Sequence, residues 1–305
     1  MPNKNFDNCV SFFINGGSVQ GRLVRLNNVL DTILTKHAYP LPVSAVIAES
    51  TALAAMLSSM LKYDGLFTLQ TQSNGPVPMI VIDITSDGKI RACARFDEER
   101  LNYGQNLRKT TGQIEPAPHL MGGGHLAFTV DQGKSTELYQ GIVDLQGKNL
   151  TECALRYFKQ SEQIDTNLKL FLQAPQGESQ SWITAGIMLQ KMPTKGGNEI
   201  DEETAAENWN EANVFMESLS ENEVFDANLS SEDILYRLFH SCKLTVTQNK
   251  SYTFGCRCSR EKLLNTLSTF SKADINAMIE NEKISATCHF CSEQYCFDPT
   301  ELIKQ

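Results

Sequence analysis

Cys256-Arg-Cys258 and Cys288-His-Phe-Cys291 set four thiols in two short clusters separated by 29 residues. A C-x-C and a C-x-x-C together supply four soft donors, the set that tetrahedral zinc takes in closed sites. Four thiolates leave no position for a water, which argues against hydrolytic chemistry at the metal. The same sulfurs are oxidisable. Their conversion to disulfides removes the ligands, and in a small module lost metal binding is lost folding free energy. Spacing alone leaves two uses open, a structural zinc knuckle and a redox sensor. His289 lies between two thiols that already complete a set of four and reads as a spectator. Cys296, five residues past the second pair, reads as a buried strand residue or as a competing thiol when the site oxidises.

No other segment carries enzyme chemistry. The chain lacks H-E-x-x-H, G-x-x-x-x-G-K-[ST] and G-x-S-x-G. Gly122-Gly123-Gly124-His125 leads into a strand and not a helix N-terminus, so a backbone turn is expected in place of a phosphate loop. Cys9, Cys93, Cys153 and Cys242 are expected to fill the core as small hydrophobes. Nine scattered cysteines do not resemble a secreted disulfide framework. The N-terminal residues lack the apolar run of a signal peptide, and no stretch reaches the ~18 apolar residues of a membrane span. A cytoplasmic protein with reduced thiols is the expectation.

The elements that must position the thiols follow from patterning. With 41% hydrophobic and 21% charged residues the chain has the composition of a globular protein. Val10–Ile14 and Val19–Arg25 read as strands split by Asn15-Gly16-Gly17. Asn27 opens a helix with Val29, Leu30, Ile33 and Leu34 inward, stopped by Pro40 and Pro42. Val43–Leu61 reads as a long helix so apolar that burial on several sides is expected. Leu66–Gln72, Met79–Ile84 and Ile90–Phe96 form a meander punctuated by Asn74-Gly75-Pro76 and Asp87-Gly88. Leu126–Val130 and Thr136–Val143 add a hairpin, Leu150–Gln160 a helix, and Leu168–Leu172 and Ile183–Leu189 two more strands. The class is α+β, with a mixed core domain over residues 1–194.

Met192–Asn198, with a proline and paired glycines, marks a boundary, and an acidic block follows it. Between Glu199 and Asp233 there are twelve acidic and no basic residues, so this stretch carries −12 while the rest of the chain sums to +3, for a net charge of −9. An acidic chain is a poor partner for nucleic acid or anionic membrane, and neither is expected. Trp209, Ala212, Met216 and Leu219 recur at helical spacing within the block. Ser230-Ser231-Glu232-Asp233 offers a capping box ahead of Ile234, Leu235, Leu238 and Phe239. Residues 195–250 therefore read as an acidic helical linker that folds only while its apolar stripe is docked. Residues 251–305 read as the zinc module, with helices after Ser259 and Ser271, a strand at Ile284–Thr287, and Tyr295 and Phe297 beyond the second cysteine pair. So few residues bury little apolar area, so the metal decides whether the module folds.

Several stretches together with the cysteines are similar to the 33 kDa chaperonin family, the redox-regulated heat-shock holdases of bacteria. They are Phe254-Gly255-Cys256-Arg257-Cys258-Ser259-Arg260-Glu261, Cys288-His289-Phe290-Cys291 with Tyr295 and Phe297, Leu235-Tyr236-Arg237-Leu238-Phe239-His240, Tyr157 to Gln163, and Ala185 to Pro193. The likeness runs along nearly the whole chain. It implies a reduced, inactive monomer holding one zinc per chain at Cys256, Cys258, Cys288 and Cys291. Oxidation would convert it into an ATP-independent chaperone for unfolding proteins, often a dimer, with disulfides Cys256 to Cys258 and Cys288 to Cys291. Trp209, Phe215, Met216, Leu219, Ile234, Leu238 and Phe239 are the expected client-binding side chains, released with the linker. Cys242 and Cys296 lie outside the four-cysteine pattern and open a route to mixed disulfides. Two other readings compete: a thiol oxidoreductase using Cys288 and Cys291, and a zinc-knuckle RNA-binding module using Arg257, Arg260 and Lys262.

Overall fold

The computed structural model describes residues 5–101, 120–132, 139–147, 149–176, 181–193 and 200–303. Strands β1 (Asn8–Ile14) and β2 (Val19–Leu26) form a hairpin closed by a 3-10 turn over Asn15–Gly17. All three turn residues take positive φ, which is why Asn-Gly-Gly stands there. Strands β3 (Leu66–Ser73), β4 (Met79–Thr85) and β5 (Lys89–Arg95) form the expected meander. They are followed by β6 (Gly124–Asp131), β7 (Tyr139–Asp144), β8 (Thr166–Gln173) and β9 (Ile183–Lys191). The expected start of β7 at Thr136 and most of the Met192–Asn198 boundary lie outside the described residues. Two strands carry no sequence signal, β10 (Thr245–Ser251) and β11 (Thr253–Phe254).

These strands make two sheets, ordered β10-β1-β2-β9-β8 and β11-β5-β4-β3-β6-β7. Pairing is antiparallel throughout except for β11 on β5. Between the sheets runs the Leu41–Met60 helix, which touches strands of both. Its apolar residues occur on every side and fifteen of its residues are buried, as a helix enclosed all round requires. By length and composition this helix could cross a membrane, contrary to the expectation that no stretch would; 83% of its most apolar window is buried inside the protein. Pro42 does not stop a helix either. Pro40 is the N-cap and Pro42 lies in the first turn, where a missing N–H costs nothing.

The Asn28–Thr35 helix starts where expected, with Asn27 at the N-cap position, but the Asn27 side chain does not cap it. Asp7 accepts from the backbone N–H groups of Asn27, Asn28 and Val29 at 2.9, 3.1 and 3.2 Å. The Asn27 amide donates instead to the Trp182 carbonyl. After the Leu150–Tyr157 helix, residues Phe158–Glu162 widen into a π turn, so the α-helix ends before the expected Gln160.

Sheet parity gives the first sheet two apolar faces. Val24 and Leu26 point to the central helix, while Val10, Phe12, Ile14, Leu23, Ile187 and Leu189 point outward. That outward face is covered by the helices Glu202–Ser218, Glu221–Val224 and Ser231–Phe239. The Ser230–Asp233 capping box forms, and Ser220 with Glu223 forms another. The C-terminal module has helices Arg260–Leu267, Lys272–Ala277 and Pro299–Ile303 beside the hairpin β12 (Ile284–Thr287) and β13 (Gln294–Phe297). Among the described residues its core cluster is made of the buried side chains Leu267, Ile275, Ile284, Phe297 and Leu302.

Candidate metal and redox centre

Cys256 and Cys258 lie on the extended stretch between β11 and the Arg260 helix, while Cys288 and Cys291 lie on the turn from β12 to β13. That turn is closed by Cys288 N–H donating to the Glu293 carbonyl and Ser292 N–H to the Cys288 carbonyl, with Ser292 at φ +56°. The four Sγ atoms all lie within 4.8 Å of one another. Cys256 to Cys258 is 3.4 Å, Cys256 to Cys288 is 3.7 Å and Cys258 to Cys291 is 3.5 Å. Sulfurs tetrahedral about an ion at roughly 2.3 Å stand about 3.8 Å apart, so this donor set can hold a metal ion with little adjustment. His289 is exposed and outside the cluster.

Burial pushes the Cys288 and Cys291 thiols up. At Cys256 burial acts the same way, but hydrogen bonds from Cys258, Cys291 and Arg91 outweigh it and bring the pKa down to about 7. The Tyr295 hydroxyl sits 3.2 Å from Cys258 Sγ.

The cluster is joined to the second sheet. Asp83 on β4 accepts from Arg91 Nε at 2.8 Å and Arg91 NH2 at 2.6 Å, and from Arg257 NH2 at 2.8 Å. Arg91 NH1 reaches Cys256 Sγ at 3.8 Å, and its guanidinium lies over the Phe290 ring. His37 contacts the Phe290 carbonyl at 3.3 Å and the Ser292 hydroxyl at 3.2 Å. Asp83 and Arg91 lie outside the site residues that the cysteine pattern indicates. Their signal was a carboxylate inside the apolar run Met-Ile-Val-Ile-Asp-Ile, which a buried strand tolerates only with a cationic partner.

The seven apolar linker residues come together on the outward face of the first sheet. Met216, Leu219, Ile234, Leu238 and Phe239 are buried there, with Trp209 and Phe215 partly so. Phe239 stacks on Phe12 of β1 at 5.5 Å. A residue absent from the expectations, Arg25 of β2, holds the linker polypeptide. Fully buried, it donates to the carbonyls of Val224 (2.9 Å), Asp226 (2.6 Å), Leu229 (2.6 Å) and Asn5 (3.2 Å).

Cys9, Cys93, Cys153 and Cys242 are buried, as small hydrophobes are expected to be. Cys296 is exposed, against the expectation of a buried strand residue: β13 alternates, and Phe297 takes the inward position. Gly122–Gly124 makes a turn into β6, with Gly123 N–H bonded to the Asn74 side chain.

Residues 7–298 match the family model described as Hsp33 protein. The chain is 35% identical over 297 residues to the 33 kDa chaperonin of Caulobacter vibrioides, covering 96% of this chain and 95% of that one. It is 32% identical to the 33 kDa chaperonin of Pseudomonas putida, covering 95% and 90%. The crystal structure of the 33 kDa chaperonin (heat shock protein 33 homolog) of Thermotoga maritima has the same fold. Its TM-score is 0.78 at 21% identity, over 98% of this chain and 97% of that one. With its four-thiol cluster and its sheet covered by the acidic helices of residues 202–239, the chain belongs to the Hsp33 family of chaperones.

Proposed function

We propose that the chain is a redox-regulated, ATP-independent holdase of the cytoplasm and not an enzyme, and that it binds unfolding proteins under oxidative and heat stress. The observation that carries this reading is the cluster of four thiols tied through Arg91 to the core sheet. In the reduced monomer Cys256, Cys258, Cys288 and Cys291 hold one zinc. Oxidation pairs Cys256 with Cys258 and Cys288 with Cys291. Within each pair one sulfur becomes a sulfenic acid and the other displaces its oxygen. Each pair thus gives two electrons to one peroxide, which takes up two protons and leaves as two waters. With Cys256, Cys258, Cys288 and Cys291 all in disulfides, no thiolate would remain to hold zinc, which would be released.

Structural zinc contributes on the order of 10 kcal/mol to a small module, comparable with the stability of a whole domain. Its loss unfolds residues 251–305 and weakens the contacts that hold the linker of residues 195–250 on the core of residues 1–194. The linker's −12 charge then favours staying open. Trp209, Phe215, Met216, Leu219, Ile234, Leu238 and Phe239, with the sheet face they cover, become the apolar surface for a client, and the acidic residues keep the complex soluble. Oxidised chains would pair as homodimers.

The test reads zinc content, free thiols and light scattering of a heat-aggregating client on the same samples, before and after peroxide at raised temperature. One zinc and about four thiols lost, with aggregation suppressed only afterwards, supports the reading. Equal suppression by the reduced protein overturns it.

A further inference from the structure

On the opposite face of the first sheet from the helices of residues 202–239 lies an open cleft of about 750 Å³. Its walls are β1, β2 and β10, the last turn of the Leu41–Met60 helix and the β4–β5 turn. The register sets its floor. Arg22 and Gln248 flank Ser11 across β1, and Lys250 stands opposite Cys9 one row along, all on the same face.

Two cations in this cleft have no anionic partner among the described residues. Arg22 is 5% exposed, and among the described residues its Nε has no hydrogen-bond partner and its side chain makes one hydrogen bond, a long 3.5 Å contact from NH1 to Gln190. A buried guanidinium left in this state is costly unless something else meets it. Burial lowers the pKa of Arg22, and the groups acting back on it are the Cys9 thiol and the Tyr252 hydroxyl, both pushed up and neutral near pH 7. Burial likewise lowers Lys250, which feels Cys9 and Asp87. Asp87 is already paired with Lys89 at 2.7 Å. Lys62 stands on the rim, so the lining is net positive on a chain whose net charge is −9.

We propose that this cleft binds a multiply charged phosphoryl anion, of the size of a small diphosphate or triphosphate compound, between Arg22 and Lys250. The lining is mostly polar, which excludes an apolar ligand or an unfolded client segment. The volume is that of a small-molecule site and exceeds what a single phosphate fills. Ser11 and Gln248, whose side chains make no hydrogen bonds among the described residues, supply neutral donors between the cations. Ser58 and Ser59 do not, because their hydroxyls donate to the Ala55 and Met56 carbonyls of their own helix. Because β10 forms one wall, a bound anion would tie the strand that follows the Ser231–Phe239 helix to the core.

The probe is inorganic pyrophosphate, titrated calorimetrically into the full-length, zinc-loaded, reduced chain at ionic strength matched with potassium chloride. Thermal unfolding and zinc content are read on the same samples. The expected result is saturable binding of one equivalent, a rise in Tm beyond that in chloride, and retained zinc. Lys250→Met and Arg22→Met should each weaken binding at least tenfold. Lys250 is a half-buried edge-strand residue, so K250M tests the site even if R22M fails to fold. No heat or Tm shift beyond chloride overturns the proposal, as does unchanged binding by K250M. Equal affinity for orthophosphate overturns the assignment to a multiply charged ligand.

Discussion

Arg91 lies over the Phe290 ring with its guanidinium carbon 3.8 Å from the centroid, and the same side chain reaches Cys256 Sγ with one nitrogen and Asp83 with two others. One residue of the core sheet therefore grips a ring and a sulfur from the two cysteine clusters. Any change that moves Cys256 or Phe290 removes two of this cation's contacts and leaves Asp83 to hold it.

Asp83→Asn should loosen that grip. Asp83 and Arg91 are 7% and 14% exposed, and a second arginine, Arg257, shares the carboxylate. Removing one partner of a buried pair costs about 3 kcal/mol or more, because the other charge is left uncompensated. D83N should release zinc severalfold faster at a fixed peroxide concentration and unfold at lower urea. An unchanged zinc-release rate, followed with a chromogenic chelator, would show that the node does not restrain the module.

Arg25→Met should free the linker without oxidation. The guanidinium holds three linker carbonyls from Val224 to Leu229, and hydrogen bonds from a charged donor are worth roughly 1.5–3 kcal/mol each. Burial brings the Arg25 pKa down only to about 10, so the residue stays charged at neutral pH. In reduced, zinc-loaded R25M, amide exchange over residues 202–239 should accelerate at least tenfold, and aggregation of a client should be partly suppressed. Exchange equal to that of the unaltered protein would assign linker docking to the apolar contacts alone.

What the sequence made legible is what local pattern controls. The alternation Val10, Phe12, Ile14 named a strand, and the all-round apolar run from Val43 named an enclosed helix. Ser230 with Asp233 named a cap, and the cysteine spacing named the cluster. The remainder depends on partners distant in sequence. Thr-Val-Thr-Gln-Asn-Lys-Ser becomes β10 because β1 offers it a free edge, and its own mostly exposed side chains show no inward face. The cap of the first helix comes from Asp7, which sits 20 residues before Asn27, and the latch on the linker comes from Arg25, about 200 residues before the carbonyls it holds. A charged residue within an apolar strand pattern was the readable trace of both Asp83 and Arg25, without naming either partner.

Glu49 should make stability fall with rising pH. It sits on the central helix, makes no hydrogen bond among the described residues, and is pushed by burial up to about 7 from 4.5. Below about pH 4.5 it is protonated in both folded and unfolded chains and costs nothing. Between about pH 4.5 and 7 the unfolded chain ionises Glu49 while the folded chain keeps it protonated, so a penalty builds to on the order of 3 kcal/mol and stays constant above pH 7. Glu49→Gln should therefore raise the urea midpoint at pH 8 and leave it unchanged near pH 4. Equal effects at both pH values would show that the carboxylate ionises without penalty.

Removing the metal under reducing conditions separates its role from that of the disulfides. The core of the C-terminal module has five buried apolar side chains among the described residues, a small core that by itself stabilises residues 256–303 weakly. A metal held at the four thiols would add to this by joining the chain before the Arg260 helix to the β12–β13 turn. Chelation with all thiols reduced should collapse amide protection across residues 256–303 while the strands β1 to β9, enclosing the Leu41–Met60 helix, keep theirs. Protection that survives in the metal-free reduced module would mean that the hairpin, the three short helices and the Asp83–Arg91 contacts suffice to fold it, and that oxidation must act through disulfide strain.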